Sequence, residues 1–231
     1  MNYLHLGACV GNWKNNKEYV RCGFTEFIKK NHNKNDNIFL VEANPKNINK
    51  LKKCYNGFKT VKFFNVGITA KRQSKINFYY TEDDAPNYMV CSTKIKHVIK
   101  HYPNSKIKKF SIKNISINDF LEKNFKHQKI DYLSIDLEGI DYDILMNISL
   151  DKFDIQNISI EFIHLKKYQI KKMIKHLYNN KYSYCGYGYD HNNFDFLFKK
   201  KKIYTNFLIS NLISLISKKH IKYLNYFIRK N

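Results

Sequence analysis

The sequence predicts an α/β fold, in which a mostly parallel sheet is covered by helices on both faces. Short apolar segments alternate with segments of helical apolar spacing along most of the chain. Several apolar segments end at acidic or polar residues, as strands do at the ligand-binding edge of an open sheet. With 231 residues, 43% of them hydrophobic, we expect one domain over residues 1–199 and a basic tail over residues 200–231.

The first part of the chain reads as three strands joined by two helices. A tight loop, Gly7 to Asn12, follows the first strand. Pro45 suits the first turn of a helix and Gly57 suits its end. The predicted strands are Tyr3–Leu6, Ile38–Val41 and Val61–Val66, and the predicted helices are Trp13–Asn31 and Pro45–Asn56.

The middle of the chain is less regular. Two predicted strands, Ile76–Tyr80 and Lys108–Ile112, flank residues 81–105, which show no strong periodicity. A segment of that length without periodicity usually carries function or is mobile. Ser116 suits the N-cap of a short helix over Ile117–Asn124.

The last third returns to alternating elements. An apolar strand from Ile130 ends at Asp136, and the chain turns at Gly139 into a helix. The remaining predicted elements are a helix over Ile140–Ile148, a strand over Ile155–Phe162, a helix over Leu165–Asn179, and a hairpin of Tyr182–Tyr187 with Phe194–Phe198.

The net charge of +22 favours nucleic-acid or acidic-membrane partners. Arginine, however, occurs only at Arg21, Arg72 and Arg229, so nearly all of the 41 basic residues are lysine. Specific phosphate and base recognition tends to use the arginine fork. Residue usage typical of A/T-rich codons explains much of the lysine, and no specific nucleic-acid partner is expected.

The tail differs from the domain. Four lysines, 199–202, precede an amphipathic segment over residues 203–217 whose polar face is Ser and Asn. The segment is either a helix that makes peripheral membrane contact or a helix packed on the domain or a second subunit.

Five cysteines without a CxxC pair predict neither a zinc site nor a disulfide framework. The N-terminus lacks the layout of a signal peptide, and no apolar run is long enough to span a bilayer. A cytoplasmic location and no metal are the expectations.

The glycine turn after the first strand restricts the class of ligand. A dinucleotide fingerprint needs glycine where Cys9 and Asn12 stand, and no P-loop Gly-Lys-Ser/Thr follows. The Gly7 to Gly11 turn suits a smaller cofactor with an amino-acid carboxylate, because glycine lets backbone N–H groups approach closely.

Polar residues at the next strand ends complete an adenosine site. Glu42 ends the second strand, where a carboxylate can accept both ribose hydroxyls. Asn65 ends the third strand, where an adenine would lie. Asp136 and Glu138 would stand where substrate and cofactor meet, or alternatively would cap the following helix.

With these motifs the chain resembles the FkbM-type family of S-adenosylmethionine-dependent methyltransferases, over roughly residues 3–198. The resemblance implies a Rossmann-like class I methyltransferase fold, with a mostly parallel seven-stranded sheet, helices on both faces and a C-terminal antiparallel hairpin. The matching segments are Leu6–Gly11, Val41–Pro45, Asn65–Ile68, Tyr79–Tyr80, Cys91–Ser92, Ile135–Gly139 and Ile158–Glu161.

The resemblance also implies a binding site for S-adenosyl-L-methionine. The family usually places an acidic residue two positions before the first glycine, where this chain has His5. The chain also begins almost at its first strand, and both features favour weak affinity or lost activity. The residues expected around the cofactor are His5, Gly7, Ala8, Gly11, Glu42, Asn44, Asn65, Val66 and Asp136.

The expected acceptor is a hydroxyl of a sugar, glycan or small molecule, which needs alignment and a base. Asp136 and Glu138 are the candidate bases, Glu161 or His164 could serve instead, and the choice stays open. His97 and His101 are interpreted as surface histidines, without metal-ligand spacing. Two alternatives remain: a weak or inactive binding protein on this scaffold, and a lysine-rich membrane or RNA adaptor.

Overall fold

The structure is a computed structural model that describes residues 1–14, 19–189 and 193–200. The strands within these ranges are β1 (Asn2–Leu6), β2 (Trp13–Lys14), β3 (Tyr19–Val20), β4 (Asn37–Val41), β5 (Val61–Phe64), β6 (Gly67–Thr69), β7 (Lys75–Thr81), β8 (Ile107–Ser116), β9 (Tyr132–Ile135), β10 (Asn157–Glu161), β11 (Tyr182–Tyr187) and β12 (Asp195–Lys200). The helices are α1 (Gly23–Asn31), α2 (Pro45–Cys54), α3 (Ile95–His101), α4 (Ile117–Phe125), α5 (Asp141–Leu145) and α6 (Lys167–Asn179).

The central sheet of the described residues has seven strands in the order β11-β12-β10-β9-β1-β4-β5. Of these strands, β12 runs antiparallel to both of its neighbours, and the others are parallel to one another. Leu6, at the end of β1, lies beside Val41 of β4 and Ile135 of β9. The three loops that follow these strands therefore emerge at one edge of the sheet, and the predicted fold class is confirmed.

Each face of the sheet carries an apolar core. Along β1, Leu4 and Leu6 contribute to one core and Tyr3 to the other, as strand alternation requires. Helices α4, α5 and α6 cover the first core, with Phe120 among the buried side chains. Helices α1 and α2 cover the second, with Phe24 buried there. Burial of each such side chain stabilises the fold by about 1.5–3 kcal/mol.

A smaller sheet lies beside the central one, with the strand order β6-β8-β7. Its β7 and β8 are the strands predicted around residues 76–80 and 108–112, now longer and antiparallel. The predicted strand Val61–Val66 is shorter, because β5 ends at Phe64 and the chain then leaves the central sheet to pair Gly67 with Asn114.

The predicted helix over Trp13–Asn31 is wrong in its first part. Helix α1 begins at Gly23, and β2 pairs with β3 instead. The Cys22 thiol accepts a hydrogen bond from the Thr25 N–H and so caps α1 there. Tyr19, which contributed to the apolar spacing, is 56% exposed and faces no core.

The segment 81–105 is more regular than its sequence indicated. It contains a 3₁₀ turn, Glu82–Asp84, and helix α3. Of the seven residues in α3 only Val98 is buried, and the apolar spacing of Ile95, Val98 and Ile99 covers about one turn, which is too short to identify a helix in the sequence. Conversely, α5 is shorter than the predicted Ile140–Ile148.

The predicted tail helix over residues 203–217, and the domain limit near residue 200, lie outside the described residues. Within the described ranges, no helix combines the length and apolar character needed to cross a membrane.

Candidate active site

A cleft of about 410 Å³ opens at the edge of the sheet where β1, β4, β9 and β10 end. It brings together most of the residues selected from the sequence. Those that line it are His5, Gly7, Ala8, Gly11, Glu42, Val66, Asp136, Glu138, Glu161 and His164. Asn44 and Asn65 are not among the lining residues.

The loop after β1 is fixed by hydrogen bonds within the protein. The N–H groups of Gly7 and Ala8 both donate to the Val41 carbonyl, at 3.0 and 2.9 Å. Gly7 and Gly11 have φ of +85° and +65°, in the left-handed region that favours glycine. The turn is therefore held rigidly at the cleft. Its first two N–H groups donate to the last residue of β4, so they are not available to a ligand.

Glu42 joins the loops that follow β1 and β4. Its Oε2 accepts the Cys9 N–H at 2.8 Å, and its Oε1 accepts the Asn44 N–H at 2.6 Å. The side chain is buried, and this burial raises the pKa of Glu42 to about 7, although the two N–H donors oppose the shift. Glu42 is thus a preorganised acceptor on the cleft wall.

His5 is the penultimate residue of β1 and lies between Leu40 of β4 and Ser134 of β9. Its ring packs against Phe24 with centroids 4.5 Å apart. Burial lowers the pKa of His5 to about 3, so the imidazole is neutral at physiological pH. Its Nδ1 makes no hydrogen bond with any described residue, which leaves a buried polar atom beside the cleft.

Asn44 and Asn65 build the loops rather than the wall of the cleft. The Asn44 side-chain oxygen accepts the Lys46 N–H at 3.1 Å and caps α2. The Asn65 amide donates to the carbonyls of Glu42 and Ala43, at 2.8 and 3.0 Å. Both side chains position Glu42 indirectly, by fixing the segment that carries it.

Asp141 holds the turn that follows β9. Its carboxylate accepts the N–H groups of Leu137 at 2.5 Å and Gly139 at 3.0 Å. The sequence offered Asp136 or Glu138 as an alternative helix cap. Helix α5 has Ile140 as its N-cap and no side-chain cap, so neither residue caps it; Asp141 orders the preceding turn, and Asp136 and Glu138 both line the cleft.

Asp136, Asp141 and Glu161 converge, with one carboxylate oxygen of each within 4.8 Å of the others. Burial, the Glu161 charge and the Glu138 charge raise the pKa of Asp136 well above its ordinary value. Burial likewise raises the pKa of Asp141 to about 6. Such a site holds a proton more tightly than an exposed carboxylate does.

Glu138 has a strained backbone conformation and is held by two residues of the segment 81–105. Its φ of +50° lies in the left-handed region, which costs a non-glycine residue about 1–3 kcal/mol. The Ser92 hydroxyl donates to the Glu138 carbonyl at 2.7 Å, and His97 Nε2 lies 2.8 Å from its carboxylate. The side chain of Glu138 is therefore fixed at the cleft by residues distant in sequence.

Two histidines expected at the surface take part in this arrangement. The side chain of His97 is only 8% exposed because it packs against Glu138, and His101 lines the cleft beside it. Burial and the neighbouring His97 lower the pKa of His101. His164 Nε2 lies 3.6 Å from a Glu161 oxygen. In the sequence, only the spacing of His97 and His101 signalled this group.

The sheet order, the antiparallel β12 and a cleft at the ends of β1, β4 and β9 define a Rossmann-like class I methyltransferase fold. A family model described as the methyltransferase FkbM domain matches residues 5–189. The chain belongs to this methyltransferase family, which confirms the resemblance drawn from its motifs. A comparison with curated proteins gives no match.

Proposed function

We propose that the protein is an S-adenosylmethionine-dependent O-methyltransferase that acts on a hydroxyl of a sugar, glycan or other small molecule. One observation carries the proposal: the buried Glu42 acceptor and the carboxylates of Asp136 and Glu138 line one cleft in a methyltransferase fold.

The residues present fit the cofactor. An ionised carboxylate has about four acceptor positions, and Glu42 uses two for the Cys9 and Asn44 N–H groups and one for the Asn47 side chain, so it retains capacity for one ribose hydroxyl. The same cleft has an apolar wall, formed by Val66, Ile68 and Phe78, that suits the adenine ring of the cofactor. His5 Nδ1 offers a further polar atom. When bound, S-adenosylmethionine supplies an electrophilic methyl group on a cationic sulfur.

The chain's own task is to align the acceptor and remove its proton. Glu138 is bonded to His97, and Glu161 lies beside His164, whereas the Asp136 carboxylate makes no hydrogen bond with a described residue. We therefore assign the base to Asp136 and an orienting role to Glu138 and Glu161.

A binding protein without turnover is the second candidate, and His5 favours it. The family pattern has an acidic residue at this position, whereas this chain has a neutral, buried imidazole. Loss of that negative charge weakens electrostatic attraction for a cationic ligand. Binding with turnover supports the enzyme, and binding without turnover supports this alternative.

Titration calorimetry with S-adenosylmethionine tests the assignment of the cofactor site. Glu42→Ala should weaken binding by about 1–3 kcal/mol, because a charged hydrogen-bond acceptor is removed. Glu122→Ala, on an exposed pair with Lys126, is the matched control and should bind as the wild type does. Equal affinity in Glu42→Ala would remove Glu42 from the site.

Turnover is measured as formation of S-adenosylhomocysteine with a panel of sugars and hydroxylated small molecules. Hydroxyl-dependent turnover, abolished when the acceptor hydroxyl is replaced by hydrogen, is the expected result. Turnover only with amine acceptors would overturn O-methylation but would retain the methyltransferase activity.

A further inference from the structure

Three imidazoles meet at the rim of the cleft: His97, His101 and His164, called here the histidine cluster. Each offers one ring nitrogen, and the three nitrogens lie within 4.8 Å of one another. The ring centroids are 4.6, 4.8 and 5.6 Å apart. His97 and His101 are one turn apart on α3, so both project from the same face, and His164 comes from the loop after β10.

We propose that the histidine cluster binds a divalent transition-metal ion of the zinc type. Imidazole is a preferred ligand of such ions, whereas Mg²⁺ and Ca²⁺ require oxygen ligands. Three histidines with a position left for water or substrate form an established type of catalytic zinc centre. Bonds of about 2.0–2.1 Å in a tetrahedron place ligand nitrogens about 3.4 Å apart, so small side-chain rotations suffice.

Carboxylates stand behind two of the three imidazoles. Glu138 Oε2 lies 2.8 Å from His97 Nε2, and Glu161 Oε1 lies 3.6 Å from His164 Nε2. Metal-bound histidines are commonly oriented in this way, because the carboxylate fixes the ring and raises its basicity. Two carboxylates also balance part of the added positive charge.

The location gives the ion a role that rests on the proposed function. His101 and His164 line the same cleft as Asp136. An ion on the histidine cluster would face the acceptor space with its open position. It would bind the acceptor hydroxyl oxygen and lower the pKa of that hydroxyl, which assists deprotonation by Asp136. The acceptor class would then be narrowed to hydroxyls that are able to coordinate a metal.

The binding test uses the full chain, stripped with a chelator and titrated with Zn²⁺ alone. One equivalent should bind, and His101→Ala, His97→Gln and His164→Ala should each weaken binding by at least about tenfold. His101 is exposed, so its variant should fold normally, and His97→Gln keeps an amide donor for Glu138. His127→Asn is the control, because His127 is exposed, has φ of +60° and lies outside the cluster.

Substitution with Co²⁺ identifies the ligand type. Imidazole ligation gives a spectrum without thiolate charge-transfer absorption, which is the expected result. A thiolate band would place the ion at a cysteine, such as Cys91 in the cleft wall, and would overturn the proposal. Unchanged zinc affinity in His101→Ala, or binding of Mg²⁺ in preference to Zn²⁺, would overturn it as well.

The zinc site and the proposed methyltransferase function can be tested independently of each other. Zinc binding that depends on the histidine cluster, in a protein without turnover, supports the metal site and removes the proposed function. Turnover in a protein that binds no zinc overturns the metal site and leaves the proposed function standing. If both hold, removal of the metal should lower turnover while the affinity for S-adenosylmethionine stays unchanged.

Discussion

Gly7 lies so close to Asp136 that a Cβ on Gly7 would stand 1.6 Å from the Asp136 carbonyl oxygen. The first glycine of the loop is therefore required by the backbone of Asp136, directly after β9, as well as by its positive φ. The contact joins the proposed cofactor loop to the segment that carries the proposed base. Their separation is fixed by the protein itself, before any ligand binds.

Gly7→Ala should prevent stable folding or lower the free energy of unfolding by more than about 3 kcal/mol, because two backbones must separate. Gly57→Ala is the control, because a Cβ there would meet nothing within 4 Å. Urea denaturation followed by circular dichroism gives both values. Near-wild-type stability of Gly7→Ala would show that the loop moves freely relative to β9.

Asp136→Asn should lower turnover by about 10²–10⁴, the typical contribution of a general base. Its stability at neutral pH should rise, since the raised pKa of Asp136 means that its charged form is disfavoured in the folded state. Asp151→Asn, at an exposed position, should change neither quantity. A helix-capping role predicts the opposite pattern: stability lower by about 0.5–2 kcal/mol and normal turnover.

Glu42 should make the fold less stable as pH rises. Its pKa is about 7 in the folded state against an ordinary value of 4.5, so the folded state binds more protons between these values. The stabilisation is complete below about pH 4.5 and is lost as pH rises through 7. Urea midpoints at about pH 5.5 and about pH 8 should therefore differ less in Glu42→Gln than in the wild type. The exposed Glu122→Gln should retain the wild-type difference, and equal differences in all three proteins would contradict the raised pKa.

Ser92→Ala should release the Glu138 backbone. Ser92 is fully buried, and its hydroxyl holds the Glu138 carbonyl. We expect a stability loss of about 1–3 kcal/mol from the unsatisfied carbonyl, together with a fall in turnover and no change in cofactor affinity. Ser111→Ala, at an exposed position on β8, is the control. A fall in cofactor affinity equal to the fall in turnover would argue against a local effect on Glu138.

The fold could be predicted because its signals are local. The apolar run before Glu42 and the Pro45 helix start both identify elements from a few neighbouring residues. The start of α1 could not be predicted, since Tyr19 has the apolar character of a core residue and is nevertheless exposed. Helix α3 was missed because it has only seven residues and its apolar spacing, Ile95, Val98 and Ile99, covers about one turn.

The residues of the candidate site also divide into those with a local sequence signal and those without one. Gly7, Glu42 and Asp136 were identifiable because each follows a recognisable strand, and parallel strands end at the same edge. The histidine cluster was not, since His97 and His164 lie on elements whose contact only the folded chain creates. Asn65 directly follows β5, which ends at Phe64, and its amide is committed to two backbone carbonyls.

The insertion of β12 between β10 and β11 has a consequence for synthesis of the chain. Until residues 195–200 leave the ribosome, β10 is an open edge whose unpaired N–H and C=O groups can pair with another chain. Strand β11, made earlier, has no place in the sheet without β12. A nascent chain that pauses before residue 195 would therefore be the form most dependent on chaperones.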